Sequence, residues 1–328
     1  MPEPSLRLDN VTKRFGAVAA VRDASVEVRA GRLHAVVGEN GAGKSTLLGL
    51  AGGVHAPDAG TVLIDGARLT PITPAEASRR GVGFVHQHFM LVEAFTCLEN
   101  VMLGAEPVRR GGVLDPVAAR RRLEKVLCDA QLEVELDARV DGLGVGERQT
   151  LEIVRILYRG ARTILLDEPT AVLTPAQAES LFGTLRKLAA DGAAIVVVTH
   201  RLSEVMRWCD DVTVMRRGRV VSTGSVAESS EDALTRAIMG REPPPPIVRP
   251  AVPEGAPVGL AVRGVSVVGQ RDGRLAVDGV SIEVRAGEIV GLAGVEGNGQ
   301  TELVEALAGL RATRAGSIEV AGRELTAR

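Results

Sequence analysis

Apolar residues fall in short runs separated by polar and glycine-rich stretches, and the runs have the lengths of strands. Residues 6–11 and 21–28 have the character of short N-terminal strands, whereas 33–37 (LHAVV) is nearly all apolar and leads into a glycine loop. A helix is expected from Lys44, and residues 88–159 are polar with helical character. Strand 163–166, helix 175–190 and strand 194–198 follow, and residues 212–223 close the run as a strand pair. Apolar strands alternating with helices imply a parallel sheet covered on both faces, so the expected fold class is α/β.

The pattern occurs twice. Residues 30–70 align without a gap to 286–326 at a constant offset of 256, and seven glycines coincide, from Gly31 on Gly287 to Gly66 on Gly322. Between the copies runs a proline-rich stretch, REPPPPIVRPAVPEGAP, whose prolines favour an extended spacer. The expected domains are residues 1–242, a linker at 243–257, and the start of a second domain at 258–328. A length of 328 residues fits this, since single cores stop growing at about 250–300 residues.

Composition narrows the function classes. With one Trp and one Tyr, the cores are built from Ala, Val, Leu and Ile. Lys plus Arg number 39 against 41 Asp plus Glu, so no basic surplus is available to neutralise a phosphate backbone, and nucleic acid is not the expected partner. Cys97, Cys128 and Cys209 are odd in number and widely spaced, which suits neither a disulfide framework nor a zinc site and suggests a reducing compartment. The first ten residues carry no signal-peptide pattern. The longest apolar run, 193–198, is far below the roughly 20 residues that span a bilayer, so any spanning is expected of another protein.

Two motifs carry chemistry. Gly38-Glu39-Asn40-Gly41-Ala42-Gly43-Lys44-Ser45, followed by Thr46, fits G-x-x-x-x-G-K-[ST] and sits between an apolar strand and a helix. Glycines there let backbone N–H groups turn toward a phosphate, the helix start adds positive dipole, Lys44 reaches the β- and γ-phosphates, and Ser45 can ligate Mg²⁺. The second motif, Asp167-Glu168, ends an apolar strand, where ligands sit in open α/β sheets. Asp167 is the candidate for Mg²⁺ or its water, and Glu168 for polarising an attacking water.

In order and spacing these segments resemble ATP-binding cassette (ABC) proteins over essentially the whole chain. The resemblance implies a P-loop NTPase cassette with a parallel core sheet, an N-terminal antiparallel β subdomain and a helical subdomain, plus the start of a second cassette. It implies that Phe15, in KRFGA, stacks on adenine and that Gln87, in VHQHF, contacts Mg²⁺ and communicates with a membrane partner. It also places His200 on the γ-phosphate as a switch. His86 and His88 read as surface residues, and His34 and His55 attract no role.

The family's signature, usually Leu-Ser-Gly-Gly-Gln, maps to Leu143-Gly144-Val145-Gly146-Glu147, which lacks the serine hydroxyl. The second copy puts Gln300 where Lys44 stands, and a neutral amide cannot supply the charge. Because cassettes of this family pair head to tail, both altered segments are expected in one composite site, leaving one active and one degenerate site. At the repeat offset, a second His200 would fall beyond Arg328, so a longer tandem protein, or another chain, is expected to complete the strong site.

The asymmetric tandem resembles ATPase subunits of bacterial importers for ribose-type sugars and nucleosides. That implies ATP and Mg²⁺ as ligands, transmembrane permease subunits and indirectly a substrate-binding protein as partners, and a peripheral place on the cytoplasmic face of the cell membrane. A soluble cassette ATPase without a membrane partner, or a nucleotide-binding fragment without turnover, are the alternatives.

Overall fold

The computed structural model describes residues 5–109, 111–242, 252–253, 255–269, 273–294 and 297–325, and these divide into two compact units, one up to residue 244 and one from 245. Most of the expected linker lies outside the described residues.

The first unit begins with β1 (Leu6–Phe15), β2 (Val18–Val28) and β3 (Leu33–Val37), then α1 (Lys44–Ala51), β4 (Ala59–Ile64), β5 (Ala67–Arg68), α2 (Pro74–Arg79) and β6 (Val82–Val85). A helical layer follows: α3 (Cys97–Met102), α4 (Pro116–Ala130) and α5 (Val145–Tyr158). The chain then returns through β7 (Thr163–Asp167), α6 (Pro175–Ala190), β8 (Ala194–Val198), α7 (Leu202–Trp208), β9 (Asp211–Arg216), β10 (Arg219–Ser225) and α8 (Glu231–Met239).

Two sheets result, an antiparallel one in the order β2-β1-β4-β5 and a six-stranded one in the order β10-β9-β3-β8-β7-β6. In the second, β9, β3, β8, β7 and β6 run parallel and β10 is an antiparallel edge. β3, β7 and β8 are buried at every position, as their mainly apolar sequences require of strands covered on both faces, with His34, Thr163 and Asp167 the buried polar exceptions. Along β3 the side chains alternate between two cores. Leu33, Ala35 and Val37 pack with Phe182 and Leu185 of α6, while Val36 packs with Leu47 and Leu48 of α1.

The stretch expected to be helical, 88–159, holds three helices separated by non-helical segments, at 87–96, at 103–109 and 111–115, and at 131–144 with one 3-10 turn at Val140–Gly142. Local signals set the breaks. Thr96 and Glu99 form a capping box at α3, Asp115 caps α4 with Pro116 behind it, and the Glu147 carboxylate accepts the Gly144 N–H at α5. Their core joins Leu98, Val101, Leu123, Leu151 and Tyr158, with the Arg122 guanidinium 4.4 Å from the Tyr158 ring centre.

The second unit contains β11 (Val258–Val268), β12 (Leu275–Arg285), α9 (Gln300–Leu307), β13 (Ala315–Val320) and β14 (Arg323–Glu324), with the sheet ordered β12-β11-β13-β14. Residues 289–293, the repeat's counterpart of β3, form no strand, and Ile289 is 75% exposed. In the first unit β3 is held by β8 on one side and β9 on the other. Neither flanking strand has a counterpart among the described residues of the second unit.

Candidate functional site

The glycine loop runs from the C-terminal end of β3 into α1, and its neighbours enforce its shape. A Cβ on Gly38 would collide with the Met215 carbonyl oxygen, and one on Gly43 with the carbonyl of Ala20. Gly41 and Gly43 hold φ of 78° and 99°, left-handed values that favour glycine. Ala42 is buried, Glu39, Asn40, Gly41 and Ser45 are exposed, and Thr46 is half-buried. Lys44, 6% exposed, turns back along the loop, and its Nζ donates to the carbonyls of Gly38 (2.8 Å) and Glu39 (3.0 Å). α1 has no side-chain cap and no acidic residue in its first turn. That leaves the amides and dipole of its N-terminus for an anion.

Beside the loop, β7 delivers Asp167 and Glu168. Asp167 is buried, and its Oδ1 has no hydrogen-bond partner. Burial pushes its carboxyl above the usual range, against a hydrogen bond from Ser45 and the Lys44 charge, which lower it. Burial likewise lowers the Lys44 ammonium, with Glu168 and Asp167 opposing. A buried carboxylate oxygen lacking a partner, next to a serine hydroxyl, is a hard-oxygen pair that fits Mg²⁺. That ion takes one or two protein groups plus phosphate oxygens and waters, and needs no larger protein cage. Among the described residues no group of three His, Cys, Asp or Glu forms such a cage.

Glu168 has φ +48°, a strained value for a residue with a side chain, and its N–H donates to the Val198 carbonyl at 3.0 Å. Two distant residues meet its carboxylate. Gln87, after β6, places Nε2 3.5 Å from Oε2, and His200, after β8, places Nδ1 3.6 Å from Oε1. Gly38, Glu39, Asn40, Glu168 and His200 line one opening, walled also by Leu202, Thr235 and Ile238, which sequence reasoning did not single out. Gly144 to Glu147 do not line it.

Sequence reasoning also missed what holds these groups. Glu204 of α7 accepts from the hydroxyls of Thr170 (2.9 Å) and Thr199 (3.2 Å) through Oε2, tying the loop after Glu168 to the turn bearing His200. Phe15 stands 47% exposed at the end of β1, so it is no core residue. Its ring meets His55 edge to face at 5.3 Å, and Lys13 Nζ lies 5.6 Å from its centre. No sequence signal pointed to His55. His86 and His88 are exposed, as expected. In the second copy the Gln300 amide lies against Gly294, while residues 295–296 of that loop are outside the described residues.

A family-wide sequence profile described as "ABC transporter" matches residues 21–171 and 277–328. The nucleoside import ATP-binding protein NupA of Lactococcus lactis is 40% identical over 99% of this chain and 63% of its own length. The glucose import ATP-binding protein TsgD13 of Haloferax volcanii is 40% identical over 99% of this chain and 64% of its own. The chain therefore spans somewhat less than two thirds of the length of these relatives. Among solved structures, the ADP conformation of an ATP-binding cassette of an ABC transporter superposes with a TM-score of 0.62 at 26% identity, covering 72% of this chain and 95% of that one. With the glycine loop, the Asp167-Glu168 strand end and this match over most of its length, the chain belongs to the ABC transporter family.

Proposed function

We propose that this chain binds ATP with Mg²⁺ and hydrolyses it, powering import of a nucleoside or simple sugar through separate membrane subunits. The observation that carries the reading is the convergence of Gln87 and His200 on Glu168, beside Lys44. The first-turn amides of α1 and Lys44 hold the β- and γ-phosphates, and Lys44 trades its two loop carbonyls for phosphate oxygens. Ser45, Asp167 and Gln87 hold Mg²⁺, which when bound offsets charge on the phosphates. Glu168 orients a water in line with the γ-phosphorus and draws its proton as the new P–O bond forms and the bond to ADP breaks. His200 donates to a γ-phosphate oxygen while Glu168 keeps its ring in place. Phe15 takes the adenine.

Closure over the nucleotide uses a signature from a second cassette or a second ATPase copy. No helix among the described residues is long and apolar enough to cross a membrane. On the import reading permease subunits carry the cargo across the bilayer, a substrate-binding protein acts through them, and this chain sits peripherally on the cytoplasmic face. A groove lined by Phe84, His86, Met90 and Arg155 beside Gln87 suits the permease contact. Nucleoside and simple-sugar cargo follow from the relatives' names.

The test is Mg²⁺-dependent ATP binding by this chain and by a Lys44→Ala variant. Binding by the first and not the second supports the reading, and equal binding by both sinks it. For the cargo, hydrolysis by the assembled transporter is measured with nucleosides and simple sugars. Stimulation by neither class removes the import assignment.

A further inference from the structure

Phe15 closes β1 with its ring outside the packed core, and its support comes from residues 55–58, between α1 and β4. Asp58 ties that segment to β1. Its N–H donates to the Thr12 carbonyl at 2.8 Å, and its carboxylate accepts from the Arg14 N–H at 2.6 Å and from Lys13 Nζ at 3.2 Å. Lys13 Nζ also donates to the Ala56 carbonyl at 2.8 Å, which fixes the ammonium over one face of the Phe15 ring. His55 meets the same ring edge to face. It is itself seated on α1. The His55 N–H donates to the Gly49 carbonyl at 3.1 Å, and its ring uses the space left by the missing side chain, since a Cβ on Gly49 would stand 2.8 Å from His55 Cδ2. One short helix therefore carries Lys44 at its start and the seat of His55 near its end.

The second unit offers a comparison within the same chain. Lys13 lies opposite Val21 and Val267 opposite Val277, so strand pairing sets Thr12, Lys13 and Phe15 on Ser266, Val267 and Gly269. The backbone frame is kept, because the Arg314 N–H donates to the Ser266 carbonyl at 2.8 Å as Asp58 does to Thr12. The side chains are not kept. Lys13, Phe15 and Asp58 give way to Val267, Gly269 and Arg314, and in place of Gly49 and His55 stand Glu305 and Arg311, which form an ion pair at 2.6 Å. Turn and sheet thus form without the aromatic pair. The same unit has Gln300 where Lys44 stands, so the pair is absent where the phosphate-binding lysine is absent. A set of side chains that the local fold does without, and that goes with Lys44, points to the nucleotide.

We infer that His55 is a positioning residue for the nucleotide base. Seated on α1, it sets the tilt of the Phe15 ring and its reach from Lys44. Lys13, held by Asp58, covers one face of the ring and leaves the other for a base whose phosphates lie at the start of α1. This rests on the reading of Phe15 as the adenine platform.

Equilibrium binding to the full chain tests it, with Mg²⁺ and either ATP or tripolyphosphate, which has the phosphates without the base. His55→Ala is expected to weaken ATP binding about three- to tenfold, the range an aromatic pair supports, and to leave tripolyphosphate within about twofold. Unchanged tripolyphosphate binding also shows that α1 and its loop remain folded. His55→Phe, which keeps an aromatic edge against Phe15, is expected to restore ATP binding. On a Phe15→Ala background, His55→Ala should have no further effect, because the two residues act through one contact. An equal loss for ATP and tripolyphosphate overturns the proposal, since His55 would then only support α1. An unchanged ATP affinity in His55→Ala, or a loss that adds in full to that of Phe15→Ala, overturns it as well. If Phe15→Ala itself binds ATP as tightly as the wild type, the reading of Phe15 fails, and this role for His55 with it.

Discussion

Nδ1 of His200 lies 3.6 Å from Oε1 of Glu168, although the two residues close different strands of the sheet. A carboxylate flanked by an imidazole and an amide is suited to orient a water and to share its proton. Glu168→Gln keeps the shape and removes the base. It is expected to bind ATP within about threefold of wild type while hydrolysis falls roughly 10²- to 10⁴-fold in the assembled ATPase. Unchanged turnover would take Glu168 out of the catalytic role.

The glycine loop offers an internal comparison. Gly43 and Gly41 both hold left-handed φ, but a Cβ meets the Ala20 carbonyl only at Gly43, and nothing within 4 Å at Gly41. Gly43→Ala is expected to cost about 1–3 kcal/mol more than Gly41→Ala, measured by urea unfolding. Equal losses would mean the loop relaxes around the added methyl.

His34 is 2% exposed, its Nε2 lies 2.8 Å from the Thr213 hydroxyl, and burial lowers its pKa from 6.5 to about 4. Above pH 6.5 both folded and unfolded states are neutral there, so His34 adds no pH dependence. As pH falls from 6.5 toward about 4, the unfolded chain takes up a proton that the native state refuses. Stability therefore drops across that window, by about 3 kcal/mol in all, and no further below it. Unfolding free energies of His34→Gln from pH 7 to 4 should lack this component of the acid slope.

The cysteines should separate by reactivity. Cys97 and Cys209 are buried and Cys128 is exposed. Burial raises the Cys97 thiol, and pushes Cys209 up to about 12, away from the reactive thiolate. Native-state alkylation followed by peptide mapping should label Cys128 at least about tenfold faster than the other two. Comparable labelling of Cys209 would show that α7 opens readily.

The glycine loop and the Asp167-Glu168 strand end were legible because their chemistry is local. A handful of adjacent residues sets the turn, the lysine and the helix start. Gln87 and His200 were legible as motif positions, but their meeting on Glu168 was not, since 81 positions separate Gln87 from that carboxylate. Glu204, Asn100 and Glu152 escaped notice because polar residues in helices usually face water. Their buried contacts with Thr170, Val92 and Met90 exist only once the layers pack. His55 became visible only when α1 and β1 brought it to Phe15.

The two copies of the repeat mark the division between the levels. The sequence by itself determined the helices that open after the glycine motifs and the N-terminal strands before them, and both kinds of element are present in both units. Those elements close their hydrogen bonds within one copy of the repeat, the widest pairing joining Leu6 to Ile64 in the first unit and Leu260 to Val320 in the second. Residues 33–37 and 289–293 have matching patterns, yet one is a fully buried central strand and the other is exposed and irregular. Tertiary structure decided that difference, because a parallel strand draws its hydrogen bonds from neighbours distant in sequence. β3 has Ile195 and Val212 beside it, and residues 289–293 have no such strands among the described residues.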